Sequence, residues 1–299
     1  MTSHARIVAL LAVPALALVG CGSDDTGADQ RPASGSTKHH DGQASESPKG
    51  SGVSAQPADG RTTVPVYFVG DTPQGPRLYR EFREVEGTGT YAALDLAASG
   101  DALDPDYRTL LPAGTFEVPD EIGDANAFTL PDDSWTRRPA GMSESDALLA
   151  IQQLVYTAQG AMQARLPIHF YDSEGHETQV FGIASEDGFT AADPIRTLAL
   201  VNITAPESGA TVSGTFTASG VSSSFEANTP WEVRDASGDV VEKGAATAEG
   251  WMDKLYPWEA DVDVSDLGPG DYTFVAMTDD PSDGEGDGPT VDSKTFTVQ

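Results

Sequence analysis

One cysteine, Cys21, is present in 299 residues, so no disulfide can form within the chain and no thiolate cluster can hold a metal. Positive charge is equally scarce. Lys and Arg number 17 against 47 Asp and Glu, a formal net charge of −30. Nucleic-acid binding needs a basic face, and the only adjacent basic pair is Arg137-Arg138, so that class of partner is excluded. Acidity on this scale speaks for solubility, not for an acidic active site. Long hydrophobic runs are missing too: Ile7 to Val19 is shorter than the ~20 residues of a spanning helix, and Pro14 interrupts it. HExxH, GxSxG, SxxK and P-loop motifs are absent. The sequence nominates no catalytic residue and no cofactor, and an enzyme is not expected.

Behind His4 and Arg6, the run from Ile7 to Val19 reads as an export signal. It ends in Leu18-Val19-Gly20-Cys21, which resembles the lipobox of bacterial lipoproteins. The resemblance implies cleavage before Cys21 and lipidation of its thiol. Residues 1–20 are then a signal peptide, and the lipid anchor makes the membrane a partner. An ordinary secretory signal with an incidental cysteine is the alternative. At ~0.8 kcal/mol per buried CH₂, one acyl chain anchors marginally and two or more anchor stably. The expected location is the extracytoplasmic face of the cell membrane. Residues 21–62 carry almost no large apolar side chain and are expected to be a disordered tether. About 40 such residues reach about 35 Å r.m.s.. His39-His40 lies within it and reads as solvated chain rather than as a metal site.

Residues 63–192 interleave strand and helix patterns, which argues an α/β or α+β layer. Val64 to Val69 and Leu78 to Val85 read as strands joined through Gly70, Asp71, Pro73, Gly75 and Pro76. Tyr91 to Ala98 reads as a short helix, and Phe116 to Val118 and Ala127 to Leu130 as strands. The strongest helix starts at Ser143, with Asp146 replacing the usual Glu of a capping box. Leu148, Ile151, Leu154, Val155 and Ala158 then recur at helical spacing, and Gly160 is expected to loosen the helix end. Ile168 to Tyr171 is a strand, followed by a turn at Asp172 to Gly175. Val66-Tyr67-Phe68, Leu78 to Arg83, Asp104-Pro105-Asp106-Tyr107, Leu111 to Thr115 and Gln152 to Thr157, in this order, resemble the sporulation and spore germination domain GerMN. That resemblance implies a compact α/β fold related to ring-building motifs, and it transfers no catalytic residue.

Residues 200–299 show short strand patterns at Thr215 to Ser219, Trp231 to Arg234, Val240 to Lys243, Trp258 to Val264, Tyr272 to Met277 and Lys294 to Val298. Their spacing is that of an all-β sandwich. Phe216, Trp231, Val233, Trp258, Val262, Tyr272, Phe274, Phe296 and Val298 are the expected inward residues. Leu267 to Tyr272 looks like a tyrosine corner. Ile203 to Pro206, Val212-Ser213-Gly214 and Ser224-Phe225-Glu226-Ala227-Asn228 resemble the immunoglobulin-like domain of bacterial spore germination proteins. The expected fold is therefore two domains, an α/β (α+β) GerMN-like domain followed by an all-β immunoglobulin-like sandwich.

Candidate sites are few. His169 and His176 read as a strand-surface and a turn histidine before they read as a metal pair. Asp283, Glu285 and Asp287 imitate the first half of an EF-hand loop, but Val291 and Lys294 stand at its ninth and twelfth positions, so only a weak Ca²⁺ site is conceivable. Phe225 and Glu226 are interaction candidates. Phe225 is expected first as a plug in the sandwich core and second as an exposed interface anchor. The function these readings support is a non-enzymatic, lipid-anchored envelope protein that presents two interaction domains to an envelope protein partner, in a sporulation- or germination-type assembly. A ligand-binding lipoprotein and an envelope hydrolase are the rivals.

Overall fold

Val64, Val66 and Phe68 alternate along strand β1 (Arg61–Thr72) and are fully buried. Such period-2 burial is what a half-buried strand requires. β1 pairs antiparallel with β2 (Gly75–Glu86) from Arg61 opposite Glu86 to Thr72 opposite Gly75. The computed structural model describes residues 60–87, 89–119, 124–280, 286 and 288–299. Cys21, residues 21–59 of the expected tether and Asp283, Glu285 and Asp287 lie outside them, while Arg61 and Thr62, expected as the end of the tether, open β1. The described chain is mostly β, with few helices.

The first lobe continues with α1 (Thr90–Ser99), β3 (Ala127–Thr129), α2 (Glu144–Met162) and β4 (His169–Tyr171), with β3 and β4 parallel. The capping box expected at α2 is formed. Ser143 Oγ accepts from the Asp146 N–H at 3.0 Å, and the Asp146 carboxylate accepts from the Ser143 N–H at 3.3 Å, a device worth ~1 kcal/mol. Two expectations for α2 need correction. Leu148 is 48% exposed, because the buried stripe runs through Ala147, Ala150, Ile151, Leu154, Val155 and Ala158, one residue off its position. Gly160 does not loosen the helix, which runs on to Met162. A Cβ on Gly160 would lie 2.6 Å from Pro65 Cγ, so its missing side chain lets α2 press onto β1. Phe116–Val118 likewise forms no strand. It contributes one bridge, Glu117 to Thr129, and Val118 is 62% exposed while Phe116 is core.

After a short helix α3 (Pro194–Thr197) comes the second lobe: β5 (Val201–Ala205), β6 (Ala210–Val212), β7 (Thr215–Ser222), β8 (Asn228–Arg234), β9 (Val240–Thr247), β10 (Tyr256–Asp263), β11 (Gly270–Met277) and β12 (Val291–Val298). A three-stranded sheet in the order β10-β7-β5 faces a five-stranded sheet in the order β6-β12-β11-β8-β9. All nine expected inward residues belong to one core, Phe216 and Tyr272 at its partly buried margin. Tyr272 closes the tyrosine corner by donating to the Gly268 carbonyl at 2.9 Å.

The two lobes lie within one compact unit, and the Asp104-to-Tyr107 segment clasps β12. Lys294, 4% exposed, donates to Asp104 at 2.5 Å, to the Tyr107 hydroxyl at 2.6 Å and to Asp292 at 3.2 Å. Tyr107 in turn donates to Asp292 at 2.7 Å. The other Asp292 oxygen accepts from the Asn202 amide and the Ile203 N–H. Tyr79 stacks on Tyr107 and donates to the Val291 carbonyl at 2.9 Å. Buried charge is tolerated only when paired and fully hydrogen-bonded, and this cluster meets that condition.

Candidate functional site

The loop from β7 to β8 is held at its root by Ser224, which is buried and whose hydroxyl accepts from the Asp279 N–H at 2.7 Å. Phe225 to Ala227 follow as one tight turn in which Glu226 (φ 52°) and Ala227 (φ 61°) are both left-handed. For residues with a Cβ this conformation costs ~1–2 kcal/mol each, and the surroundings hold it in place. Ala227 sits in the core, and its carbonyl accepts from the Ala248 N–H at 2.9 Å. Asn228 donates to Asp279 at 3.2 Å.

The outcome for Phe225 corrects the first of its two expectations. Its ring is 40% exposed and meets Trp251 edge-on at 5.1 Å, with Trp251 itself 36% exposed. Ala227, two residues on, takes the core position instead. Trp251 belongs to the β9–β10 loop, whose neighbouring residue Met252 is 69% exposed and also has positive φ. The Met252 N–H donates to Ser223 Oγ at 3.0 Å, which ties the two loops together. Phe225, Trp251 and Met252 thus form one exposed apolar corner on a strained, hydrogen-bonded frame. Glu226 and Asp253 are exposed beside them.

Residues 200–285 match the family model of the immunoglobulin-like domain of bacterial spore germination. The exposed corner therefore belongs to the immunoglobulin-like part of the chain. No curated protein matches the chain. Among solved structures, an engineered protein is 13% identical with a TM-score of 0.27, covering 50% of this chain and 36% of its own.

The remaining candidates fall elsewhere. His169 Nδ1 lies 2.6 Å from Glu177, and His176 lies 3.7 Å from both Asp172 and Glu174. Among the described residues no three His, Cys, Asp or Glu side chains group to hold a metal. The twelfth position of the EF-hand-like stretch, Lys294, is committed to Asp104 and Asp292 in the seam. No helix among the described residues is long and apolar enough to cross a membrane. Trp251 was missed by sequence reasoning. Its signal was a tryptophan beside Gly250 in a stretch with no strand alternation.

Proposed function

We propose that this chain is a non-enzymatic, lipid-anchored envelope protein, acylated on Cys21, whose immunoglobulin-like lobe docks an envelope protein partner through Phe225, Trp251 and Met252. The family match of residues 200–285 supports a role of the germination or envelope type. The first lobe is read as GerMN-like. That reading draws support from the Asp104-to-Tyr107 and Gln152-to-Thr157 segments, whose side chains stitch the lobe together and clasp β12. Such segments are constrained by structure rather than by catalysis. The observation that carries the docking proposal is the exposed Phe225–Trp251 pair on a strained frame, since large exposed aromatics dominate interface energetics and local strain gathers at functional sites. With Glu226 and Asp253 at its edge, the corner suits a partner with an apolar pocket rimmed by basic residues.

The test is photocrosslinking on intact cells from a probe at position 252. A discrete crosslinked species that disappears in Phe225→Ala/Trp251→Ala supports the reading, and the same species in both overturns it. Cys21→Ala tests the anchor, and unchanged mass with unchanged membrane retention sinks that part.

A further inference from the structure

Where the first lobe meets the sandwich there is a groove of about 410 Å³, within the size range of small-molecule sites. β2 and the C-terminal end of α2 form one wall, while β5, β7 and the β9–β10 loop form the other. Its charge is the reverse of the chain's. Arg80, Arg165 and Lys254 line it, and no Asp or Glu does, although carboxylates outnumber cations 47 to 17 overall.

None of these three cations is ion-paired among the described residues, and neither are Arg77, Arg137, Arg196 and Lys243, so what sets the groove apart is the lack of carboxylates in its lining. The Arg80 guanidinium lies over the Phe82 ring and donates to Thr204 Oγ1 at 3.4 Å, neither of which lines the groove, so its charge is engaged elsewhere. The nearby Asp193 caps α3 by accepting from the Ile195 and Arg196 N–H groups, and its charge also reaches Tyr156 in the groove. The floor is apolar and aromatic: Tyr67 and Tyr156 lie 5.3 Å apart, and Leu255 closes the far side. Tyr156 donates to the Ala192 carbonyl, so its ring is held in place.

We propose that this groove binds a small organic anion, its carboxylate or phosphate held by Arg165 and Lys254 and its apolar or ring-shaped body lying on Tyr67 and Tyr156. Two cations without a carboxylate beside them in the lining suit one acidic group, because charge-assisted hydrogen bonds are the strong ones. A bare inorganic ion would leave the aromatic floor uncovered. The site takes residues from both lobes, so it exists only while the seam is intact.

The test is calorimetric titration of the full chain with phenyl phosphate, and with phenol and inorganic phosphate as comparisons. Arg165 and Lys254 are exposed, so Arg165→Gln/Lys254→Gln leaves the fold intact. Phenyl phosphate is expected to bind at one site, more tightly than inorganic phosphate, and phenol not to bind. The double variant should weaken phenyl phosphate roughly tenfold or more. The pair Arg137→Gln/Lys243→Gln, which removes the same charge from other exposed positions, should leave affinity unchanged. Absence of phenyl phosphate binding, or equal weakening by the two pairs, overturns the proposal. Inorganic phosphate binding as tightly as phenyl phosphate overturns the part played by the tyrosines.

Discussion

Lys294 is 4% exposed and carries a charge, while Phe225 is 40% exposed and carries none. At the seam the charges are dry, and at the Phe225 corner the hydrophobes are wet. The two regions invert the usual arrangement in opposite senses, and the energetic consequences differ. A buried Lys between two Asp has no slack, since removing one partner strands the others in low dielectric. An exposed aromatic pair contributes little to folding, because much of its surface never leaves water. The seam is thus an internal joint, and the corner is a surface still open to a partner.

The seam should therefore give the largest effects. Lys294→Met leaves Asp104 and Asp292 buried without a cation, and the expected loss is ~3–5 kcal/mol in urea denaturation. A loss under ~1 kcal/mol would mean that the carboxylates reach water. Tyr107→Phe removes a hydroxyl that bonds both Lys294 and Asp292, and ~1–3 kcal/mol should follow.

Alkaline pH probes the same joint without mutation. Burial, and then the charges of Asp292 and Asp104, raise the ionisation of Tyr79 and Tyr107 above the usual range. Tyr156 is pushed up to about 12, mainly by burial. An unfolded chain releases tyrosine protons near pH ~10 that the folded state keeps, so stability holds below that pH and falls as pH rises beyond it. Absorbance at 295 nm should show these tyrosines ionising only together with unfolding. Full titration of all eight tyrosines near pH ~10 in a folded protein would contradict the burial.

What the sequence reveals follows from range. The capping box at Ser143, the tyrosine corner and the alternation along β8, β10 and β12 are written within a few residues, and all were legible. Asp104 and Lys294 are 190 residues apart, and nothing near either announces the pairing, so Lys294 was weighed only as a failed calcium ligand. β5 and β6, five and three residues long, were not read as strands. Leu148 was misplaced because the small Ala147 and Ala150 occupy the buried stripe of α2 at its first turns. Phe225 was visible as an unusual aromatic between strands, but its exposure depends on Ala227 occupying the core and on Trp251 arriving from another loop.

At the corner the expected effects are smaller. Glu226→Gly should relieve the left-handed strain, offset in part by the added freedom of the unfolded chain. A gain of up to ~1 kcal/mol is expected, and a clear loss would show that the Glu226 side chain itself holds the loop.

The most direct test of the corner as a surface rather than a core is the denaturation midpoint of Phe225→Ala/Trp251→Ala. Substitutions at a solvent-facing pair should cost no more than ~1 kcal/mol. A loss of ~3–5 kcal/mol, the cost of emptying a buried aromatic site, would place Phe225 in the core and remove the basis for docking there.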